Sequence, residues 1–296
     1  MRGEKTAQRE GIGYLTIVEV LKKAEVYLGK RGIESARLNA EHLLARVMGC
    51  TRLDLYLRFD ECPGEEALAL YGDYLRKRAR HFPLQYILGE VEFYSLPFHV
   101  REGVFIPRPE TELLVEWIEE IVRQDSDVRF LEFGVGAGVI SGALAARHPQ
   151  WRGAAFDISS DVVSLARENF EALGVLERVW TFVADGFGAV GAGISFDILV
   201  ANPPYIPTGA IPTLTEEVCR HETRAALDGG EDGVSFYPLL AEAGARLLNH
   251  GGLVALEIGD GQGRKVKEIL RNSGFEHISV REDYNGMERM VTAIKS

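Results

Sequence analysis

Two short runs in this 296-residue chain carry residue types that could do chemistry. Asn202-Pro203-Pro204-Tyr205 follows directly on the apolar run Ile198-Leu199-Val200-Ala201. Two successive prolines cannot continue a central strand and hold the chain extended. The Asn202 side chain and the Pro203 carbonyl are then left as acceptors at a strand end. Such acceptors suit a planar amino group whose nitrogen lone pair is delocalised into an amide carbonyl or an aromatic ring: both hydrogens are held while the lone pair is turned toward an electrophile. The second run is Glu132-Phe133-Gly134-Val135-Gly136-Ala137-Gly138, an apolar segment ending in Gly-x-Gly-x-Gly. Glycines there let the chain turn sharply and let a ligand approach the backbone without meeting a Cβ. A dinucleotide fingerprint places its third glycine one position later, so the spacing leans away from NAD. Asp157 ends the next apolar run, where an acid can hold two ribose hydroxyls. Loop and acid together point to a nucleoside-cofactor pocket.

Residues at strand ends need a sheet to hold them. Strands are expected at Val128 to Phe133, Gly153 to Phe156, Val179 to Val183, Phe196 to Ala201 and Leu253 to Ile258. Helices are expected between them at Val139 to Arg147, Ser160 to Leu173, Val234 to Leu248 and Arg264 to Asn272. His277 to Arg281 and Arg289 to Ile294 close the chain as a hairpin around Asn285-Gly286, a dipeptide that tolerates positive φ. Alternation of this kind demands an α/β fold, a doubly wound and mostly parallel seven-stranded sheet, with ligands at the carboxyl ends of its first strands. Residues 1–82 read instead as a small helical bundle. Thr16 with Glu19 forms a capping-box pattern ahead of Ile17, Leu21, Ala24 and Leu28, and further helices are expected from near Ser35 to Gly49, from Thr51, and after Pro63-Gly64. Between the two parts, residues 83–105 are rich in aromatic and β-branched types broken by Gly89, Pro97 and Gly103, which predicts a β-hairpin link. The catalytic part is then 106–296.

Gly loop, Asp157 and Asn-Pro-Pro-Tyr in that order resemble an S-adenosylmethionine-dependent, Rossmann-like methyltransferase acting on an amide or exocyclic nitrogen. The fuller likeness is to the peptide chain release factor glutamine methyltransferases, and it spans nearly the whole chain. It rests on Ser35-Ala36-Arg37-Leu38-Asn39-Ala40-Glu41, Pro83-Leu84-Gln85-Tyr86-Ile87-Leu88-Gly89, Ile106-Pro107-Arg108-Pro109-Glu110-Thr111-Glu112, Ala226-Leu227-Asp228-Gly229-Gly230, and Leu256-Glu257-Ile258-Gly259 with Gln262. The resemblance implies that Gly134, Val135, Gly136, Ala137 and Gly138 line the methionine end of S-adenosylmethionine, that Asp157 holds its ribose, and that Asp185 and Gly186 form the adenine-side loop. Phe105 and Thr111 would close over the cofactor, and Asn202 would touch it as well. Asn202 and Pro203 would accept the glutamine amide hydrogens, with Pro204 and Tyr205 beside the substrate, and the helical part would hold a release factor presenting its Gly-Gly-Gln loop. His221-Glu222-Thr223 stands where Glu-Pro is more usual and is expected in a surface loop near the substrate entrance. The same pocket could serve a glutamine of a ribosomal protein, or adenine N6 in nucleic acid.

Charge and composition narrow the field. Against 44 Asp and Glu stand 33 Lys and Arg, a net charge of −11 with 46 % hydrophobic residues, which excludes collagen-like, disordered and membrane classes. Met1 to Arg80 carries 15 basic and 12 acidic residues, while the remainder carries 18 and 32. So acidic a catalytic part is a poor partner for bare nucleic acid, whose binding rests on phosphate neutralisation. The run Arg76-Lys77-Arg78-Ala79-Arg80 is expected to be a solvated helix face. Cys50, Cys62 and Cys219 are scattered and are expected to be buried thiols. No cluster has metal-ligand spacing, so no metal is expected. The polar start, Met1 to Arg9, has no signal-peptide core behind it, which together with the lack of a long apolar stretch predicts a cytoplasmic protein without membrane attachment. A monomer is expected. His148 and His221 are expected at the surface or as helix caps.

Overall fold

The structure, a computed structural model, describes residues 15–122, 127–191 and 193–296. Met1 to Arg9 therefore lies outside the described residues. The chain divides into two compact units, Met1–Leu88 and Gly89–Ser296.

The first unit is helical: α1 (Ile17–Gly29), α2 (Ala36–Met48), α3 (Arg52–Leu57), α4 (Glu65–Arg78) and α5 (Leu84–Leu88). Local chemistry starts α1 and α3 where the sequence places them. The Glu19 amide donates to Thr16 Oγ1 at 3.4 Å while the Thr16 amide donates to the Glu19 carboxylate at 2.9 Å. Thr51 and Asp54 repeat the reciprocal cap on α3. The apolar stripes of α1 and α2 then close on one another, with Ile17, Leu28, Leu43 and Leu44 fully buried.

Two expectations hold only in part. Arg76, Lys77 and Arg80 are exposed as expected, but Arg78 is buried, because Asn39 Oδ1 at 2.7 Å and the Phe82 carbonyl at 3.0 Å accept from its guanidinium. Residues 84–88 form a short helix packed on α2 rather than the start of a hairpin.

Glu41, 1 % exposed, accepts from Arg37 at 2.6 Å, from Arg52 at 2.8 Å and from the Tyr56 hydroxyl. Burial alone would raise its pKa, but these donors outweigh burial and hold the carboxyl at about 2, below its ordinary value of 4.5. A depressed folded-state pKa makes its stabilisation present above the ordinary value and lost as pH falls toward 2. Since Arg37 and Arg52 reach solvent, Glu41→Gln is expected to cost about 1–3 kcal/mol at pH 7. Urea unfolding should show that difference shrinking below pH 4.

The second unit opens with the hairpin β1 (Glu90–Phe93) and β2 (Leu96–His99), then α6 (Glu110–Ile121). The sheet follows: β3 (Arg129–Phe133), α7 (Val139–Arg147), β4 (Arg152–Asp157), α8 (Ser160–Ala172), β5 (Val179–Val183), β6 (Phe196–Ala201), α9 (Glu216–His221), α10 (Phe236–Leu247), β7 (Leu248–Glu257), α11 (Gly263–Asn272), β8 (Phe275–Glu282) and β9 (Glu288–Lys295). Among the described residues its seven strands lie in the order β5-β4-β3-β6-β7-β9-β8. The first five pair in parallel, and β9 runs antiparallel to both β7 and β8. Strands β4 and β5 lie to one side of β3 and β6 to the other, so the winding reverses between β3 and β6, and a crevice opens at their carboxyl ends. Side chains such as Leu199, Tyr237, Leu240, Val254, Leu256 and Val266 fill the core that fixes these strand ends.

The hairpin is clamped into this unit by Asn169 on α8. Its side chain accepts from the His99 amide at 2.7 Å and donates to the carbonyls of His99 at 3.0 Å and Ala137 at 2.8 Å, so one buried amide joins β2 to the Gly loop. Cys50 is half-buried, and Cys62 and Cys219 are exposed, not buried as expected. Cys62 lies between α3 and α4, and α9, which carries Cys219, buries none of its residues. His148 is also not a surface residue. It closes α7 as expected, but it is buried, stacked on Trp151 at 4.2 Å and hydrogen-bonded to Glu119 at 2.8 Å. No described helix is long and apolar enough to cross a membrane.

Candidate active site

A cavity of about 1260 Å³ fills the crevice at the ends of β3, β4, β5 and β6. Small-molecule sites usually occupy roughly 300–1,000 Å³, so this one has room for a cofactor and for part of a second reactant. Phe105, Thr111, Gly134, Val135, Gly136, Ala137, Asp157, Asp185, Gly186, Asn202, Pro203, Pro204 and Tyr205 all line it. Gly138 stands just behind as the residue that opens α7.

The floor of the cavity is built to take a ligand against backbone. Gly134 and Gly136 have φ of +72° and +53°, and a Cβ added to either would meet no protein atom within 4 Å. Only glycine takes that conformation without strain, and the space a side chain would fill is left for something else. Asp157, at the end of β4, accepts from the Ser159 amide at 3.2 Å and from the Gly136 amide at 3.4 Å. Burial nevertheless raises its pKa above the ordinary value. A carboxylate held by backbone yet poorly solvated gains from a ligand's hydroxyl donors, as a ribose would provide. Phe133 stacks on Phe187 at 5.5 Å and meets Phe156 edge-on at 5.5 Å, giving the cavity an aromatic wall. These features fit the nucleoside-containing cofactor expected from the sequence. Glu132 lies beneath the loop, fully buried, and accepts the Ser141 amide at 3.0 Å. Burial pushes its carboxyl up to about 8, against the pull of the Ser141 donors.

Across the cavity, β6 ends at Ala201 and the chain leaves the sheet as Asn202-Pro203-Pro204-Tyr205. Residues 226–230 hold this segment from behind. The Gly229 amide donates to the Ile206 carbonyl, and the Thr208 amide to the Gly230 carbonyl, each at 2.8 Å. A Cβ on Gly229 would lie 2.8 Å from the Pro204 carbonyl oxygen and from the Tyr205 Cα, so the close approach of the two backbones needs glycine at that position. Gln262 adds a further clamp, donating to the Tyr205 carbonyl at 2.9 Å and accepting from the Gly259 amide at 2.9 Å.

Thr111 does more than line a lid. It is 2 % exposed, accepts from Asn202 Nδ2 at 3.1 Å and donates to the Glu257 carboxylate at 2.7 Å. Glu257 also accepts from the Tyr205 hydroxyl at 3.3 Å. Burial pushes Glu257 up to about 7 and raises Tyr205 well above the ordinary phenol value, so Tyr205 is a neutral donor. Glu257 is the residue that reading the motif alone misses. Its signal in the sequence is a single acid inside the apolar strand Leu253 to Ile258.

Phe105 is held at the cavity by its neighbour Arg108, whose guanidinium lies 4.9 Å from the Phe105 ring centre and pairs with Glu222 at 2.5 Å. Glu222 was expected in a surface loop. It is instead 8 % exposed, because it turns inward to meet Arg108, and burial raises its pKa. His221 is half-buried beside Glu102 at 3.8 Å and does not line the cavity. Among the described residues no group of three or more His, Cys, Asp or Glu could hold a metal ion.

The chain matches two families in turn, the PrmC N-terminal domain over residues 19–89 and the methyltransferase small domain over residues 96–232. The release factor glutamine methyltransferase of Geobacter sulfurreducens is 40 % identical over 276 residues, 93 % of this chain and 95 % of its own length. That of Moorella thermoacetica is 40 % identical over 282 residues, covering 95 % and 99 %. Among solved structures, the T. thermophilus 16S rRNA N2 G1207 methyltransferase superimposes with a TM-score of 0.53 at 18 % identity, over 70 % of this chain and 50 % of that one. That likeness is one of fold.

Proposed function

Because the chain belongs to the release factor glutamine methyltransferase family, we propose that it methylates N5 of the glutamine in the Gly-Gly-Gln loop of a peptide chain release factor, using S-adenosylmethionine. The observation that carries this reading is a single cavity lined by both the Gly loop with Asp157 and the Asn202-Pro203 acceptors. When bound, S-adenosylmethionine supplies an electrophilic methyl group on a positively charged sulfur. In this proposal the Gly134 to Gly138 loop carries its methionine end, Asp157 its ribose, and Asp185 with Gly186 its adenine side, while Phe105 covers it.

The chain's own contribution is alignment. An amide nitrogen is a weak nucleophile because its lone pair is shared with the carbonyl. Asn202 Oδ1 and the Pro203 carbonyl accept its two hydrogens, which stops rotation and turns the lone-pair face toward the methyl group. Tyr205 packs beside the substrate. The surplus proton leaves through water after transfer, since Glu257 stands behind Thr111 and Tyr205 and does not line the cavity. The helical unit is assigned to holding the release factor. The same reading puts the enzyme where release factors work, in the cytoplasm, as a monomer without membrane or direct nucleic-acid contact, and the net charge of −11 supports the last point.

Competition between acceptors tests the proposal. Labelled methyl transfer is measured with an equimolar mixture of release factor, ribosomal proteins, and an adenine-containing DNA or RNA. Label on the release factor supports the reading. Label on a ribosomal protein or on adenine replaces it with one of the alternatives.

A further inference from the structure

The hydrogen bonds around Thr111 have a direction that matters for the chemistry. A threonine hydroxyl has one proton to give and lone pairs to receive with. Glu257, buried at the end of β7, lies 2.7 Å from Thr111 Oγ1, and Asn202 Nδ2 lies 3.1 Å from the same oxygen. An ionised Glu257 can only accept, so it takes the Thr111 proton. Thr111 Oγ1 is then obliged to act as an acceptor toward Asn202, and the only group of Asn202 that can satisfy it is the NH2. The side-chain oxygen of Asn202 is thereby turned away from Thr111, toward the cavity that Asn202 lines.

We infer that Glu257 and Thr111 form a polarity relay that keeps Asn202 presenting its oxygen, not its NH2, to the substrate amide. The inference rests on the functional reading above and adds to it two positioning residues that do not themselves touch the reacting atoms. If Glu257 takes up a proton, its O–H can donate to Thr111, Thr111 can donate onward, and the Asn202 amide is free to turn over. An NH2 facing the N–H groups of a substrate amide offers no acceptor and adds a clash of donors. A lost or reversed acceptor at a site that works by alignment costs about tenfold to a hundredfold in kcat.

The relay has a built-in titration. Glu257 is flanked by Glu110 on α6, which raises its pKa, and by Arg289 on β9, which lowers it. Tyr205 donates to its side chain, and the Tyr237 hydroxyl of α10 is bonded to its backbone carbonyl at 3.1 Å. Arg289 is itself paired with Asp283 at 3.0 Å. With its midpoint near 7, Glu257 ionises as pH rises through neutrality, and kcat should rise with it.

The test compares wild type, Thr111→Val, Thr111→Ser and Glu257→Gln. The expected result is a fall in kcat of about tenfold to a hundredfold in Thr111→Val and Glu257→Gln, with Thr111→Ser recovering most of what Thr111→Val loses and Kd for S-adenosylmethionine changing much less than kcat. The rise of kcat near pH 7 should disappear in both impaired variants. A second readout needs no turnover. The Asn202 side-chain NH2 resonances, assigned by their absence in Asn202→Asp, should move between pH 6 and pH 8 in wild type and stay put in Thr111→Val. Thr111→Val is nearly isosteric, so it decides the matter even if Glu257→Gln folds poorly. Active wild type with Thr111→Val equally active and an unchanged pH profile overturns the relay alone. Wild type that transfers no methyl to a release factor overturns the functional reading, and the relay with it.

Discussion

Asn202→Ala should lower kcat for methyl transfer by at least about a hundredfold, while the Kd for S-adenosylmethionine and for the release factor each change by less than about threefold. Asn202 stands where β6 stops and the two prolines prevent the strand from continuing, so its side chain serves the cavity rather than the sheet. In the proposal the methyl donor rests mainly on the loop between β3 and α7, which the substitution leaves untouched, and that is why binding and turnover should separate. Asn202→Asp separates two parts of the role. It keeps an acceptor for the substrate, yet it puts a carboxylate against Thr111, whose single proton Glu257 already takes. Both variants should therefore be slow, with Asn202→Asp recovering activity toward low pH as its carboxyl protonates. Calorimetry for binding and initial rates for turnover check the prediction, and parallel losses of kcat and cofactor affinity would contradict it.

Gly136→Val should act on the opposite half of the cavity. The residue has φ of +53°, and a Cβ there would meet no protein atom, in the part of the cavity that the proposal gives to the cofactor. Two costs combine: strain of the β-branched residue in the left-handed region, about 1–2 kcal/mol, and direct occupation of the ligand's place. The Gly136 amide also donates to Asp157 at 3.4 Å, so a shift of the loop loosens the acid assigned to the ribose. Affinity for S-adenosylmethionine should fall more than a hundredfold, which corresponds to about 2.8 kcal/mol. Because a Cβ at this position meets no protein atom within 4 Å, the fold should persist with Tm lowered by only a few degrees. A Gly136→Val protein that binds cofactor normally would remove the Gly loop from the site.

Much of the framework was legible because it is local. The apolar runs of β5 and β6 fall at the residues that periodicity predicts, and Thr16 with Glu19 and Thr51 with Asp54 cap the helices they announce. Where the sequence misleads, long-range packing decides. Tyr86 and Ile87 have strand-forming side chains but sit in a five-residue helix packed on α2. Helix α6 follows Pro107-Arg108-Pro109, a start that reads as irregular chain, yet Leu114, Val115, Trp117 and Ile118 give it a buried face. Residue types singled out two segments that the structure brings to one cavity, the Gly loop and Asn202. The support behind Asn202 was hidden, because Thr111 and Glu257 are separated by 146 positions and meet only when α6 lies against β7. Glu222 and Arg108 were hidden for the same reason, across 114 positions.

The most direct measurement is transfer of labelled methyl from S-adenosylmethionine to a purified release factor, beside the same factor with the glutamine of its Gly-Gly-Gln loop replaced. Label on the first and none on the second is the predicted result, and it fixes both the reaction and the acceptor residue. Equal label on both, or no label on either while S-adenosylmethionine still binds, would contradict the assignment of the Asn202-Pro203 acceptors to that glutamine.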